Sequence, residues 1–213
     1  MLDSHARARK LFDETAADYE ERSRARVFNF SSLVFQRRIQ IVEDFLRRAG
    51  PPGTVVDYGM GPAVFGPFCA ATGWRYVGID ISPEMVERAR ALNLPRAEFL
   101  VGDLDALGGY RAQADVVLAI GLLDYLEEPD RGIRALSACV KPGGSLILSF
   151  RNRRSLPRVL RDVAKSAWRA LSPRTRERDP RAFFSDVHEH AFDFSAELRP
   201  QLEALGFGQF EVG

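Results

Sequence analysis

From Thr54 to Phe150 the chain repeats one unit, a short apolar run followed by a stretch with helical spacing, and that rhythm constrains its architecture more than any other feature. Strands are expected at Thr54–Tyr58, Arg75–Ile79, Ala97–Val101, Ala114–Ala119 and Ser145–Phe150. Helices are expected between them at Ala63–Thr72, Pro83–Leu92, Leu104–Leu107 and Pro129–Val140. Strands that are apolar nearly throughout are buried on both faces, so the reading is an α/β fold with a doubly wound, mostly parallel sheet. Right-handed crossovers fix most of the topology and leave a switch point beside the first strand. Ligands of open α/β sheets bind there, beyond the carboxyl ends of the strands.

The flanks follow other patterns. Asp13 to Ala49 reads as two helices, the second opened by Ser31 or Ser32 and closed at Gly50-Pro51-Pro52. Its Val34, Phe35, Ile39, Val42, Phe45 and Leu46 fall on one face. After Phe150, the stretch Arg151–Pro180 holds an amphipathic pattern in which Leu156, Val159, Leu160, Val163, Ala167, Trp168 and Leu171 oppose arginines. A helix at Ser195–Leu205, stopped by Gly206, and a strand at Phe207–Val212 are expected to close the chain.

Composition narrows the function. With 213 residues, 46% of them apolar, the chain can bury one substantial core. No apolar run approaches the roughly 20 residues that span a bilayer, and Met1 to His5 lack a signal-peptide pattern, so the expected compartment is the cytoplasm. Cys69 and Cys139 sit in helical patterns as small hydrophobes, and their spacing suits neither a zinc site nor a redox pair, so no metal is expected. The formal charge is only +1, yet Arg151 to Arg181 carries eleven Arg or Lys against three Asp or Glu. A basic segment on an acidic body points to an anionic partner and to peripheral membrane contact. Nucleic acid is disfavoured, because the arginines lack interleaved aromatics.

Four strand ends carry the chemistry. The first strand runs Val55-Val56-Asp57-Tyr58 into Gly59-Met60-Gly61-Pro62-Ala63, where glycine lets backbone approach a ligand. The dinucleotide fingerprint would need a third glycine at position 64, which is Val64. The second strand ends in Asp80-Ile81-Ser82-Pro83-Glu84-Met85; Ser82 is the better cap of the following helix, which frees Asp80 to accept from ribose hydroxyls. The third ends in Gly102-Asp103-Leu104 beside the same crevice. The fourth runs Asp115 to Ile120 into Gly121-Leu122-Leu123-Asp124-Tyr125, with Lys141-Pro142-Gly143-Gly144 before the fifth.

The span from Asp57 to Phe150 resembles the class I S-adenosylmethionine-dependent methyltransferases of the small-molecule type, a Rossmann-like fold. Phe12-Asp13-Glu14-Thr15-Ala16-Ala17-Asp18-Tyr19 resembles their opening, and His190 to Phe207 their closing helix. Two departures stand out: Ala63 replaces the usual third glycine, and no further strand follows Val212 to complete the family's last hairpin. The resemblance implies one methyltransferase domain over residues 1–213: a helical lid (1–50), a cofactor core (54–150), a basic insertion over the acceptor (151–190) and a closing helix and strand (191–213).

It further implies that Asp57 orients the glycine loop and the amino end of S-adenosylmethionine, and that Gly59, Met60 and Gly61 line its methionine part. Asp80 then holds the ribose, Ile81 and Met85 flank the adenine, Asp103 and Leu104 read its edge, and Ile120 lines the sulfonium. Tyr19 is a candidate lid whose ring face suits a sulfonium cation. The expected reaction is methyl transfer to a small molecule, anionic or lipid-linked, on oxygen. An oxygen nucleophile needs a base, for which His188, His190, Asp124 and Tyr125 are the candidates. The competing readings are a cofactor-binding but catalytically silent regulator and a nicotinamide-dependent dehydrogenase; Val64 and the Gly-Asp after the third strand count against the latter.

Overall fold

The computed structural model describes residues 30–154 and 190–212. Helix α1 (Phe30–Arg48) precedes strand β1 (Thr54–Tyr58), α2 (Gly66–Thr72), β2 (Arg75–Asp80), α3 (Pro83–Ala91) and β3 (Ala97–Val101). A 3₁₀ turn (Leu104–Tyr110), β4 (Ala114–Ala119), a second 3₁₀ turn (Leu123–Tyr125), α4 (Pro129–Cys139) and β5 (Val140–Leu148) follow. The five strands pair in parallel in the order β3-β2-β1-β4-β5. The order reverses between β1 and β4, which opens the expected crevice beyond their carboxyl ends.

Side-chain alternation along the strands splits the core into two layers. Val55, Tyr76, Val116 and Leu118 face α1, α2 and α3, whose Val42, Leu46, Cys69, Val86 and Ala89 are buried against them. Val56, Val77, Ile79 and Val117 face the other way, onto Leu104, Leu107, Leu136 and Cys139. Full burial of a leucine such as Leu46 stabilises the fold by roughly 1.5–3 kcal/mol, so the predicted apolar face of α1 is what docks this helix over the β1 end. Burial pushes the Cys69 thiol up to about 12 and the Cys139 thiol to about 11, and both behave as hydrophobes. Among the described residues no helix is long and apolar enough to cross a membrane.

Several boundaries differ from expectation for local physical reasons. Helix α1 already includes Phe30, so neither Ser31 nor Ser32 is its cap. Helix α2 starts at Gly66 instead of Ala63, because Gly59, Gly61 and Ala63 adopt φ of 75°, 56° and 59° and hold the chain in left-handed turns. Strand β5 begins at Val140, paired with Ala114, and ends at Leu148. Between the Ala114 and Val116 pairings the ladder shifts register. Lys141 to Gly144 therefore bulge within the strand instead of forming a turn before it. At the far end the Ser149 hydroxyl accepts from Gly121 N at 2.6 Å.

The closing helix is a π-helical turn (Phe194–Leu198) running into α5 (Arg199–Ala204). Residues 207–212 form no strand; Phe210 instead packs its ring 5.8 Å from Phe194. The first expected helix and the basic segment from Ser155 to Glu189 lie outside the described residues.

The amino ends of the strands are tied by one carboxylate. Asp115 accepts from Thr54 N at 2.7 Å and from Lys141 Nζ at 2.9 and 3.0 Å. A Cβ on Gly53 would stand 2.1 Å from Asp115 Oδ2. Gly53→Ala is expected to displace that carboxylate and destabilise the fold by about 1–3 kcal/mol, measured as a fall in the urea unfolding midpoint. An unchanged midpoint would show that the clasp yields at no cost.

Candidate functional site

The acids Asp57, Asp80 and Asp103 lie where the apolar runs of β1, β2 and β3 end. Asp57 is penultimate in β1 and 1% exposed. Strand alternation puts it on the α1 side of the sheet, opposite Tyr58. Its Oδ2 accepts from the Tyr76 hydroxyl at 2.6 Å, and Oδ1 receives no donor among the described residues. Burial, opposed by that hydrogen bond and reinforced by the nearby Asp80 charge, raises the Asp57 carboxyl to about 7.

The glycine loop is stitched to the end of β2. Gly59 N and Met60 N donate to Ile79 O at 2.8 and 3.3 Å, and Gly61 N donates to Asp80 Oδ2 at 2.8 Å. Gly59 sits at φ 75°, which a side chain would strain, and a Cβ there would also press on Leu122 at 2.9 Å. Ala63 takes the left-handed conformation of the glycine it replaces, which costs a non-glycine residue roughly 1–2 kcal/mol.

Ser82 caps α3 as expected, accepting from Met85 N at 3.1 Å. Asp80 is not thereby released from the backbone: its Oδ1 accepts from Ser82 N at 2.9 Å while Oδ2 holds Gly61. The carboxylate braces the glycine loop and the α3 cap together. Asp103 is exposed at the end of β3, where Oδ1 accepts from Asp105 N at 3.0 Å. Burial and then the charges of Asp103 and Asp80 hold the Tyr58 phenol well above its ordinary range, so both acids bear on the same end of β1.

Met60 is 3% exposed and lies across Gly78, where an added Cβ would stand within 2.0 Å of its sulfur. Met85 and Leu104 are likewise packed inward, at 2% and 9% exposure, whereas Ile81 is half-buried.

A cleft opens between α1 and the ends of β1 and β4, lined by Phe35, Arg38, Ile39, Asp57, Gly59 and Ile120 among others. Arg38 is the residue that sequence reasoning missed. It is half-buried, and no hydrogen bond or ion pair engages its guanidinium among the described residues. Its Nη1 sits 3.7 Å from where a Gly121 Cβ would be. One cleft wall thus carries a buried carboxylate and an unengaged guanidinium, a donor set suited to a zwitterion. The residues present fit the methionine end of S-adenosylmethionine.

The candidate bases separate. Asp124 is 7% exposed and acts as a clasp: its carboxylate accepts from Arg151 N at 3.0 Å and lies 3.9 Å from the Arg151 guanidinium. Its carbonyl accepts from His190 N at 2.9 Å. His190 is thereby held by its main chain just past β4, its ring 6.2 Å from Phe192. Tyr125 is half-buried in the adjoining 3₁₀ turn. Tyr19 and His188 lie outside the described residues.

Comparison with known proteins identifies the family. The family description of a methyltransferase domain matches residues 30–207. The ubiquinone biosynthesis O-methyltransferase of Xanthomonas axonopodis pv. citri is 32% identical over 120 residues, covering 54% of this chain and 49% of that protein. Its counterpart in Xanthomonas oryzae pv. oryzae is 30% identical over 141 residues, 64% of this chain and 58% of that one. The chain thus spans about half the length of the curated relatives it matches.

Among solved structures, magnesium protoporphyrin IX methyltransferase from Synechocystis PCC 6803 with bound S-adenosylhomocysteine superposes with a TM-score of 0.72 at 24% identity, over 97% of this chain and 90% of that one. A possible histamine N-methyltransferase from Thermotoga maritima gives a TM-score of 0.61 at 19% identity, over 94% and 81%. These structural likenesses show the shared fold, and the match over residues 30–207 shows the lineage: the chain belongs to the methyltransferase domain family, with the class I, S-adenosylmethionine-binding architecture that its strand ends resemble.

Proposed function

We propose that this chain transfers a methyl group from S-adenosylmethionine to an oxygen of a small-molecule acceptor. The observation that carries the reading is the cleft itself, in which Asp57 and Arg38 offer opposite charges beside the glycine turn of β1. The bound cofactor supplies an activated sulfonium methyl, so the protein's work is alignment, which at ideal geometry contributes roughly 7–11 kcal/mol. Asp57 receives the ammonium and Arg38 the carboxylate. Asp80 takes the ribose hydroxyls, Asp103 and the Leu104 amide meet the adenine edge, and Ile81 covers its face. Ile120 walls the sulfonium side.

The names of the Xanthomonas relatives support oxygen as the acceptor atom. His190, with His188, is the proposed proton acceptor, and the Arg151 contact supports a chain-holding part for Asp124. A turnover number unchanged by His190→Gln would remove that residue from the role. The eleven basic residues between Arg151 and Arg181 support an anionic or lipid-linked acceptor; co-sedimentation with anionic vesicles that shows no salt-sensitive binding would remove it.

Calorimetry tests the central reading. S-adenosylhomocysteine is expected to bind with saturable heat at pH 8, and a nicotinamide dinucleotide is not. Protein that is folded but takes up no S-adenosylhomocysteine would overturn it.

A further inference from the structure

Tyr76 sits in the middle of the sheet, 1% exposed, where an aromatic ring needs only apolar neighbours; its ring meets Phe99 edge-on at 6.0 Å. A phenylalanine would satisfy that packing. The hydroxyl nevertheless reaches Asp57 Oδ2 at 2.6 Å and is the only hydrogen-bond donor that carboxyl has among the described residues. We propose that Tyr76 is a positioning residue for cofactor capture: its hydroxyl fixes Asp57 so that Oδ1 meets the cleft as a charged acceptor for the ligand's ammonium. This rests on the reading of the cleft given above, and it assigns to a β2 core residue a part in binding that packing does not require.

The surrounding charges make the contact consequential. From β2 the carboxyl faces Tyr76 and Asp80, and from α2 it faces the Cys69 thiol; Glu43 of α1 acts on that same thiol, and Arg38 of α1 lines the same cleft. Cys69 and Tyr76 are neutral near pH 7, since burial raises both. Burial and the Asp80 charge favour the protonated form of Asp57, and the Tyr76 bond is what opposes them. With the carboxyl poised at about 7, an incoming ammonium must expel a proton below that pH. Affinity then falls by about tenfold per pH unit on the acid side and is flat on the alkaline side.

The test is calorimetric titration of S-adenosylhomocysteine into wild type, Tyr76→Phe, Asp57→Asn and the double variant between pH 5.5 and 8.5, with thermal melts to verify folding. Tyr76→Phe is expected to weaken binding by about tenfold at pH 7, from the loss of one bond to a charged group, and to converge on wild type by pH 8.5. Asp57→Asn is expected to flatten the acid limb, and Tyr76→Phe is expected to add nothing to it, which keeps the proposal open to test from the carboxyl side. A Tyr76→Phe profile that tracks wild type at every pH overturns the positioning role alone. So does an equal loss at every pH, the mark of a structural role. Wild type that binds no S-adenosylhomocysteine at any pH overturns the cofactor reading with it.

Discussion

Asp80→Ala is expected to weaken S-adenosylhomocysteine binding by on the order of 10²-fold or more. Each hydrogen bond from a ribose hydroxyl to a charged carboxylate contributes about 1.5–3 kcal/mol, and a factor of ten needs 1.4 kcal/mol. Two such bonds account for the loss before any change in the protein. The protein adds to it, because Asp80 Oδ2 holds Gly61 N and Oδ1 holds Ser82 N, both in buried surroundings. Without the carboxylate those amides lose their acceptor, and the turn that shapes the methionine cleft loosens.

The two contributions separate in the melting curve. Thermal stability of the unliganded variant reports the bracing, and the binding constant reports bracing and ribose together. Binding within about threefold of wild type, in a variant whose melt shows it folded, would remove Asp80 from the ribose.

The strand ends were legible because parallel strands buried on both faces are mostly apolar, so an acid at the close of each run marks the carboxyl edge. Asp80 and Asp103 mark that edge in this way, and the parallel pairing of β3, β2 and β1 sets their strand ends beside that of Asp57. What the sequence concealed depends on neighbours distant in the chain. An alanine by itself does not call for positive φ; at Ala63 the glycine loop folded against Ile79 and Asp80 imposes it. Ser82 does cap α3, but Asp80 keeps a structural duty that capping was expected to relieve.

Asp124 reads as a candidate base because it follows β4, and its contacts with Arg151 and His190, 27 and 66 residues away, leave no trace in the local sequence. Residues Phe207 to Val212 carry strand-forming aromatic and branched residues, yet pairing needs an adjacent edge as well as composition. They meet aromatic side chains instead, Phe210 lying against Phe194 with the Arg199 guanidinium 5.5 Å from its ring.

Arg38 was invisible for a related reason: an arginine on an amphipathic helix ordinarily lies on a solvated face, and helical periodicity assigns it nothing else. Its position over the β4 end follows from the burial of Val42 and Leu46 on the same helix, which fixes how α1 rotates against the sheet. Arg38→Met keeps most of the stem and removes the charge. It is expected to weaken S-adenosylhomocysteine binding by roughly 10- to 100-fold, the range for losing a hydrogen-bonded pair of charges in a partly desolvated cleft.

Binding of 5′-methylthioadenosine, which shares the nucleoside and sulfur but has no amino-acid end, is expected to change by less than about threefold, within the scatter for a surface substitution. The difference between the two ligands isolates the carboxylate contact from any general disturbance of α1. Equal losses for both would mean that Arg38 supports the helix and not the ligand. The charge pair on the cleft wall would then be reduced to Asp57 alone, and with it the claim that this crevice selects a zwitterion.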